Sequence, residues 1–189
     1  MLIRTSQNIT HDYSTTTENK ESDKLVMGHE TTSLGIEFYF GGVLIYEGGR
    51  KDTVYPFIGD LEAGETVVHL EARANWSKRS ELPPGAVSAG FVAYLDITAT
   101  IKNQVSGHQT EVDLSPHINL ENNFHYSRNT PLPGSDTDLY TVTFSIHSPI
   151  GKSFVLVEED WKQRYGLHLL ENTVFHYRDV TFAQVASDS

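Results

Sequence analysis

The sequence predicts an all-β chain, an immunoglobulin-like β-sandwich behind a polar N-terminal tail. Three observations carry that reading. Short runs of alternating apolar and polar residues recur from Ser33 to the C-terminal region. Turn signals such as Gly48-Gly49, Pro83-Pro84-Gly85 and Gly107 separate them. Only one segment, 158–170, has the composition of a helix, and Gly166 interrupts it. About seven strands with so little helix suit two packed sheets, with a barrel as the other way of closing them.

Taken in order, residues 1–32 are dominated by Ser, Thr, Asn, Asp and Glu, with Thr15-Thr16-Thr17 at their centre. So little apolar area does not offset the entropy of ordering a chain, and a flexible tail is expected, with His11 and His29 solvated. The sandwich is expected over 33–185. Ile36, Phe38 and Phe40 share one face of a first strand, and Gly41-Gly42 allows a bend before Val43. In 66–76, Val68, Leu70, Ala72, Ala74 and Trp76 share one face; Val67, His69, Glu71, Arg73 and Asn75 share the other. Further strands are expected over 91–102, 110–114, 139–147, 153–157 and 172–185. Between them, 115–138 is rich in Pro, Asn and Gly and reads as a long irregular loop.

The composition excludes several functions. With 25 Asp and Glu against 14 Lys and Arg, the chain offers no basic patch for a phosphate backbone, so no nucleic acid is expected. No apolar run approaches the ~20 residues that cross a bilayer, so no direct membrane insertion is expected either. Without cysteine there are no disulfides, thiolate sites or thiol nucleophiles. The start, Met1-Leu2-Ile3-Arg4, passes directly into polar residues, the pattern of a cytoplasmic chain or of one whose targeting segment has been replaced. No Gly-x-Ser-x-Gly elbow anchors a hydrolase triad, and Glu158-Glu159-Asp160 reads as a charged surface turn, because sequence neighbours cannot oppose one another across a sugar. The chain is therefore not expected to be an enzyme.

His69-Leu70-Glu71 is the feature that points to chemistry. Residues two apart on a strand project from the same face, roughly 7 Å apart along the backbone. An imidazole and a carboxylate so placed can share one divalent cation, a donor set suited to copper, zinc, manganese or iron. His117 and His125 lie in the Asn-rich segment, His125 between Phe124 and Tyr126, which would anchor it to the core. His147 and His176 read as structural and His108 as solvated. Trp76 and Trp161 leave a second function open, a β-sandwich interaction or carbohydrate-binding module with incidental histidines, although Trp76 falls on the core side of its strand.

These residues also resemble a known family. Val68-His69-Leu70-Glu71-Ala72, Tyr94-Leu95-Asp96-Ile97-Thr98, His125-Tyr126, and the run from Leu139 to Phe144 with His147-Ser148-Pro149 are similar to the periplasmic iron-transport proteins. Those are copper- and iron-binding dimers that accompany bacterial high-affinity iron permeases. The resemblance implies an immunoglobulin-like sandwich in the periplasm, a homodimer with metal sites near the subunit interface, a membrane iron permease as partner, and no catalysis. It assigns His69, Glu71 and His125 to the metal site, with copper or iron as the ion and manganese or zinc as surrogates. Two positions depart from the family pattern. Ile118 stands where the family commonly has methionine, with His117 beside it as a fourth candidate ligand, and Gly151-Lys152-Ser153-Phe154 lacks the histidine expected after the preceding strand.

Overall fold

The computed structural model describes residues 8–12, 25–45, 66–78, 81–120, 122–147, 157–166 and 170–183. The turn expected at Gly48-Gly49, most of the strand expected over 153–157, the segment around Gly151, and His168 lie outside them. The described chain is all-β with one short helix. Its strands are β1 (Asn8–Asp12), β2 (Leu25–Thr31), β3 (Ile36–Ile45), β4 (Val67–Trp76), β5 (Asp96–Asn103), β6 (Gln109–Asn119), β7 (Asn123–Pro131), β8 (Tyr140–His147) and β9 (Thr173–Val180); the helix α1 (Glu159–Tyr165) precedes β9. The strands form one curved sheet in the order β1-β9-β8-β5-β6-β7-β4-β3-β2. Every pairing is antiparallel except that of β1 with β9.

β6 makes the sheet two-layered. Residues 109–114 pair with β5, whereas Ser115 to Asn119 pair with β7. One strand thus passes from one half to the other, and the halves pack face to face. Phe40 of β3 stacks on Phe144 of β8 with ring centroids 4.4 Å apart, and meets Phe175 and Tyr177 of β9 at 5.3 and 5.8 Å. Around these rings Ile36, Phe38, Leu70, Ile97, Ile101, Val142 and Ile146 are buried. On the far side, β2 and β9 nearly close the sheet. The Tyr177 hydroxyl donates to Glu30 Oε1 at 3.4 Å, and the ring lies where a Cβ on Gly28 would sit, so a side chain there would push the two edges apart.

The period-two pattern placed β3, β4, β8 and β9 in register with the core. Four expectations differ. A flexible tail is expected through residue 32, but 8–12 is the strand β1, paired with β9, and 25–31 is the strand β2, paired with β3, with Met27 buried at a bulge. A few apolar residues suffice there because the ladder to β3 supplies the backbone hydrogen bonds. His29 is exposed, as expected, but its ring also stacks on Tyr39 with centroids 4.0 Å apart. β3 runs unbroken through Gly41-Gly42, where a Cβ on Gly41 would lie 2.8 Å from the Leu25 carbonyl oxygen; that glycine admits a neighbouring backbone instead of making a bend. β5 begins at Asp96 and not near Phe91, because Tyr94 adopts a φ of 65° that a strand cannot contain.

The fourth difference bears on function. The segment 115–138, expected as an irregular loop, holds the end of β6 and all of β7, joined as a tight hairpin. Its Asn residues serve the turn: the Asn119 side chain accepts from the Asn122 N–H at 2.6 Å, and Asn123 takes a φ of 57°. Pro116 is tolerated because, among the described residues, 115–119 have a strand neighbour on one side only.

Candidate metal centre

β4 positions the first two candidate residues. Its inner face, Val68, Leu70, Ala72 and Ala74, is fully buried against the opposite layer. The alternation then sends His69 and Glu71 to the outer face. They are not exposed there: His69 is 2 % and Glu71 7 % accessible. β7 is anchored beside them by Tyr126, whose hydroxyl donates to the Val92 carbonyl at 2.8 Å and accepts from the Leu95 N–H at 3.0 Å. With Tyr126 turned into the core, His125, Ser127 and Asn129 share the outer face with His69 and Glu71. The hairpin register then sets His117 directly opposite His125.

All four candidate residues converge. His117 Nδ1 lies 3.0 Å from His125 Nε2, His69 Nε2 3.5 Å from Glu71 Oε1, and His125 Nε2 4.0 Å from the same oxygen. One ring nitrogen from each of the three histidines falls within 4.8 Å of the others. A four-coordinate ion with bonds of about 2.0–2.1 Å holds its ligands about 3.4 Å apart, so the donors need only small adjustments to enclose one. The donor set of three imidazoles and one carboxylate fits a divalent transition metal. Ile118, by contrast, is 57 % exposed and belongs to the other face of β6. His117 occupies the inward position at this point of the strand.

Hydrogen bonding and burial set the protonation of His125. His125 Nδ1 sits 3.0 Å from the Asn123 carbonyl, which can only accept, so Nδ1 carries the hydrogen and the Nε2 lone pair faces the cluster, where it accepts from His117 Nδ1–H. Burial lowers the pKa of His125; the Asn123 carbonyl and the Glu71 carboxylate oppose the shift, while His117 and His69 add to it. The neutral imidazole is therefore the prevailing form, as metal ligation requires.

Among the described residues no further histidine joins the cluster. His176 Nδ1 lies 3.0 Å from Thr143 Oγ1, and His147 ends β8 opposite Asp96. Trp76 packs against the core, as its side of β4 predicts. Two polar neighbours of the cluster escaped the sequence reading. Asn129 Oδ1 lies 2.5 Å from His69 Nδ1, and the Asn122 amide donates to Glu71 Oε2 at 3.1 Å. Asparagine in a Pro/Asn/Gly-rich stretch looks like turn chemistry, and only the strand register marks these two as facing the site.

A family profile described as Fe2+ transport protein matches residues 48–184. The chain belongs to the Fe2+ transport protein family. No curated protein matches it significantly in sequence. Among solved structures it is similar to a copper-bound variant of FetP from uropathogenic Escherichia coli, at 20 % identity and a TM-score of 0.59, over 82 % of this chain and 95 % of that one. It is equally similar to a copper-bound methionine-to-isoleucine variant of Campylobacter jejuni P19 (22 % identity, TM-score 0.59, 82 % and 96 % covered). Copper-reconstituted P19 matches at 23 % identity with a TM-score of 0.56, over 82 % and 94 % of the two chains. At these identities the structural likeness establishes the fold, and the family assignment rests on the profile. Among the described residues no helix is long and apolar enough to cross a membrane.

Proposed function

We propose that this chain is a non-catalytic divalent-metal carrier of a bacterial iron-uptake system, with His69, Glu71, His117 and His125 as the ligands of a copper or iron ion. The observation that carries the reading is the convergence of three imidazole nitrogens within 4.8 Å on a buried face that also holds a carboxylate. Membership of an Fe2+ transport family supports it, as do the copper-bound states of the structural relatives. The P19 variant is copper-bound although a methionine has become isoleucine. A thioether is thus dispensable in at least one relative, and here His117 supplies nitrogen to the cluster.

The finer assignments follow the family resemblance: an immunoglobulin-like arrangement of the two layers, a homodimer, a periplasmic location and a membrane iron permease as partner. The carbohydrate-binding alternative is disfavoured, since Trp76 packs on the core instead of offering a flat platform. Calorimetric titration of metal-free protein with copper(II), manganese(II) and zinc(II) tests the proposal. Stoichiometric binding by the native chain, lost in His69→Ala/Glu71→Ala, is the expected result. Absence of binding for all three ions would return the interaction-module reading to first place.

A further inference from the structure

We infer that Asn129 and Asn122 are positioning residues that preset which atoms of His69 and Glu71 face the ion. The inference rests on the metal-carrier reading and specifies how that site is assembled. Each asparagine occupies the atom of a ligand that points away from the other donors.

Asn129 lies opposite His69 in the β4–β7 ladder, so the two side chains are a cross-strand pair on one face. Its Oδ1 is 2.5 Å from His69 Nδ1. An amide oxygen accepts only, so Nδ1 must carry the hydrogen, and Nε2 is left with the lone pair. Nε2 is also the nitrogen that faces Glu71 Oε1, at 3.5 Å. Fixing the tautomer by holding the other ring nitrogen is how outer partners orient a ligating histidine.

Asn122 does the same for the carboxylate. Its amide donates to Glu71 Oε2 at 3.1 Å, whereas Oε1 is the oxygen near both His69 and His125. With Oε2 held, Glu71 offers one oxygen to the ion instead of two. The residue is itself fixed, because its backbone N–H donates to the Asn119 side chain. The hairpin turn and the ligand set are therefore coupled: the bond that closes the turn also aims the group that holds Oε2.

The test compares Asn129→Leu, Asn129→Asp and Asn122→Ala with the native chain. The readouts are copper(II) titration, nitrogen NMR of the histidine rings in metal-free protein, and paramagnetic resonance of the copper-loaded form. Asn129→Leu should weaken copper(II) binding about 10- to 100-fold and lose the protonated Nδ1 signal of His69. Asn129→Asp keeps the acceptor and should restore both. Asn122→Ala should alter the copper spectrum as Glu71 Oε2 loses the Asn122 donor. Both asparagines are half-buried and not core residues, and circular dichroism of each variant controls for folding. If the native chain itself does not bind copper(II), the carrier reading fails, and the ring NMR still decides the role of Asn129. Native-like affinity and an unchanged His69 tautomer in Asn129→Leu would overturn that role, and an unchanged copper spectrum in Asn122→Ala would overturn that of Asn122.

Discussion

The two faces of β4 are buried to nearly the same degree and do opposite work. Val68, Leu70, Ala72 and Ala74 meet the other layer with side chains that have no polar atom to satisfy. One residue along in each case, His69 and Glu71 bury groups whose removal from water is costly unless partners compensate. Burial on the inner face stabilises the fold. On the outer face it costs stability, which Asn129, Asn122 and the other imidazoles offset by supplying partners. Accessibility alone does not separate a core from a site; the chemistry of what is buried does.

The contrast can be broken most sharply on the inner side. Phe40, 1 % exposed and stacked on Phe144, should cost about 3–5 kcal/mol on Phe40→Ala, read as a lower urea midpoint, with or without metal. The outer face should behave in reverse. Metal-free His69→Ala/Glu71→Ala is expected within about 1 kcal/mol of the native chain, since loss of a buried carboxylate offsets lost contacts. Copper(II) at a hundredfold excess over its Kd should then stabilise the native chain by about 2.7 kcal/mol and leave the double variant unchanged. A double variant that unfolds like Phe40→Ala would mean that the outer face is structural after all.

The smallest effect concerns protonation. On the inner side of β8 the Tyr140 hydroxyl donates to the Ser135 carbonyl at 2.6 Å. Burial, with the Asp138 carboxylate adding to it, pushes its pKa up to about 12. The folded value exceeds the ordinary value of about 10, so the neutral phenol's contribution is fully present below pH 10 and is lost as pH rises through 12. Tyr126 is likewise raised to about 12 by burial, so ultraviolet titration should show both phenolates at that upper step, and Tyr140→Phe should reduce its amplitude and leave the Tyr126 part. Ionisation near pH 10 would show that the hydroxyl is not held as described.

Legibility in the sequence followed the strength of local pattern. β4 and β8 were readable because five or four apolar residues alternate without interruption, and His69 and Glu71 inherited their common face from that same period. Residues 25–31 and 115–131 were not, because ladder partners far along the chain order them. Met27 and Gly28 carry no pattern of their own; their roles come from the bulge against β3 and the ring of Tyr177. His117 and His125 were suspected as donors, but their direct opposition depends on a hairpin register set by Asn119 and Asn123, and composition had marked those residues as loop. Asn122 and Asn129 could not have been found, since a turn asparagine and a strand asparagine look alike until the pairing is known.

Pro116 has a further consequence. Among the described residues, the last five residues of β6, His117 among them, pair with β7 alone and form the rim of their half of the sheet. An open rim ordinarily invites a foreign strand to add itself through backbone hydrogen bonds. Proline removes a donor one residue before His117, so an added strand would meet a gap beside the metal cluster. Proline at this position makes the described rim a poor template for backbone pairing.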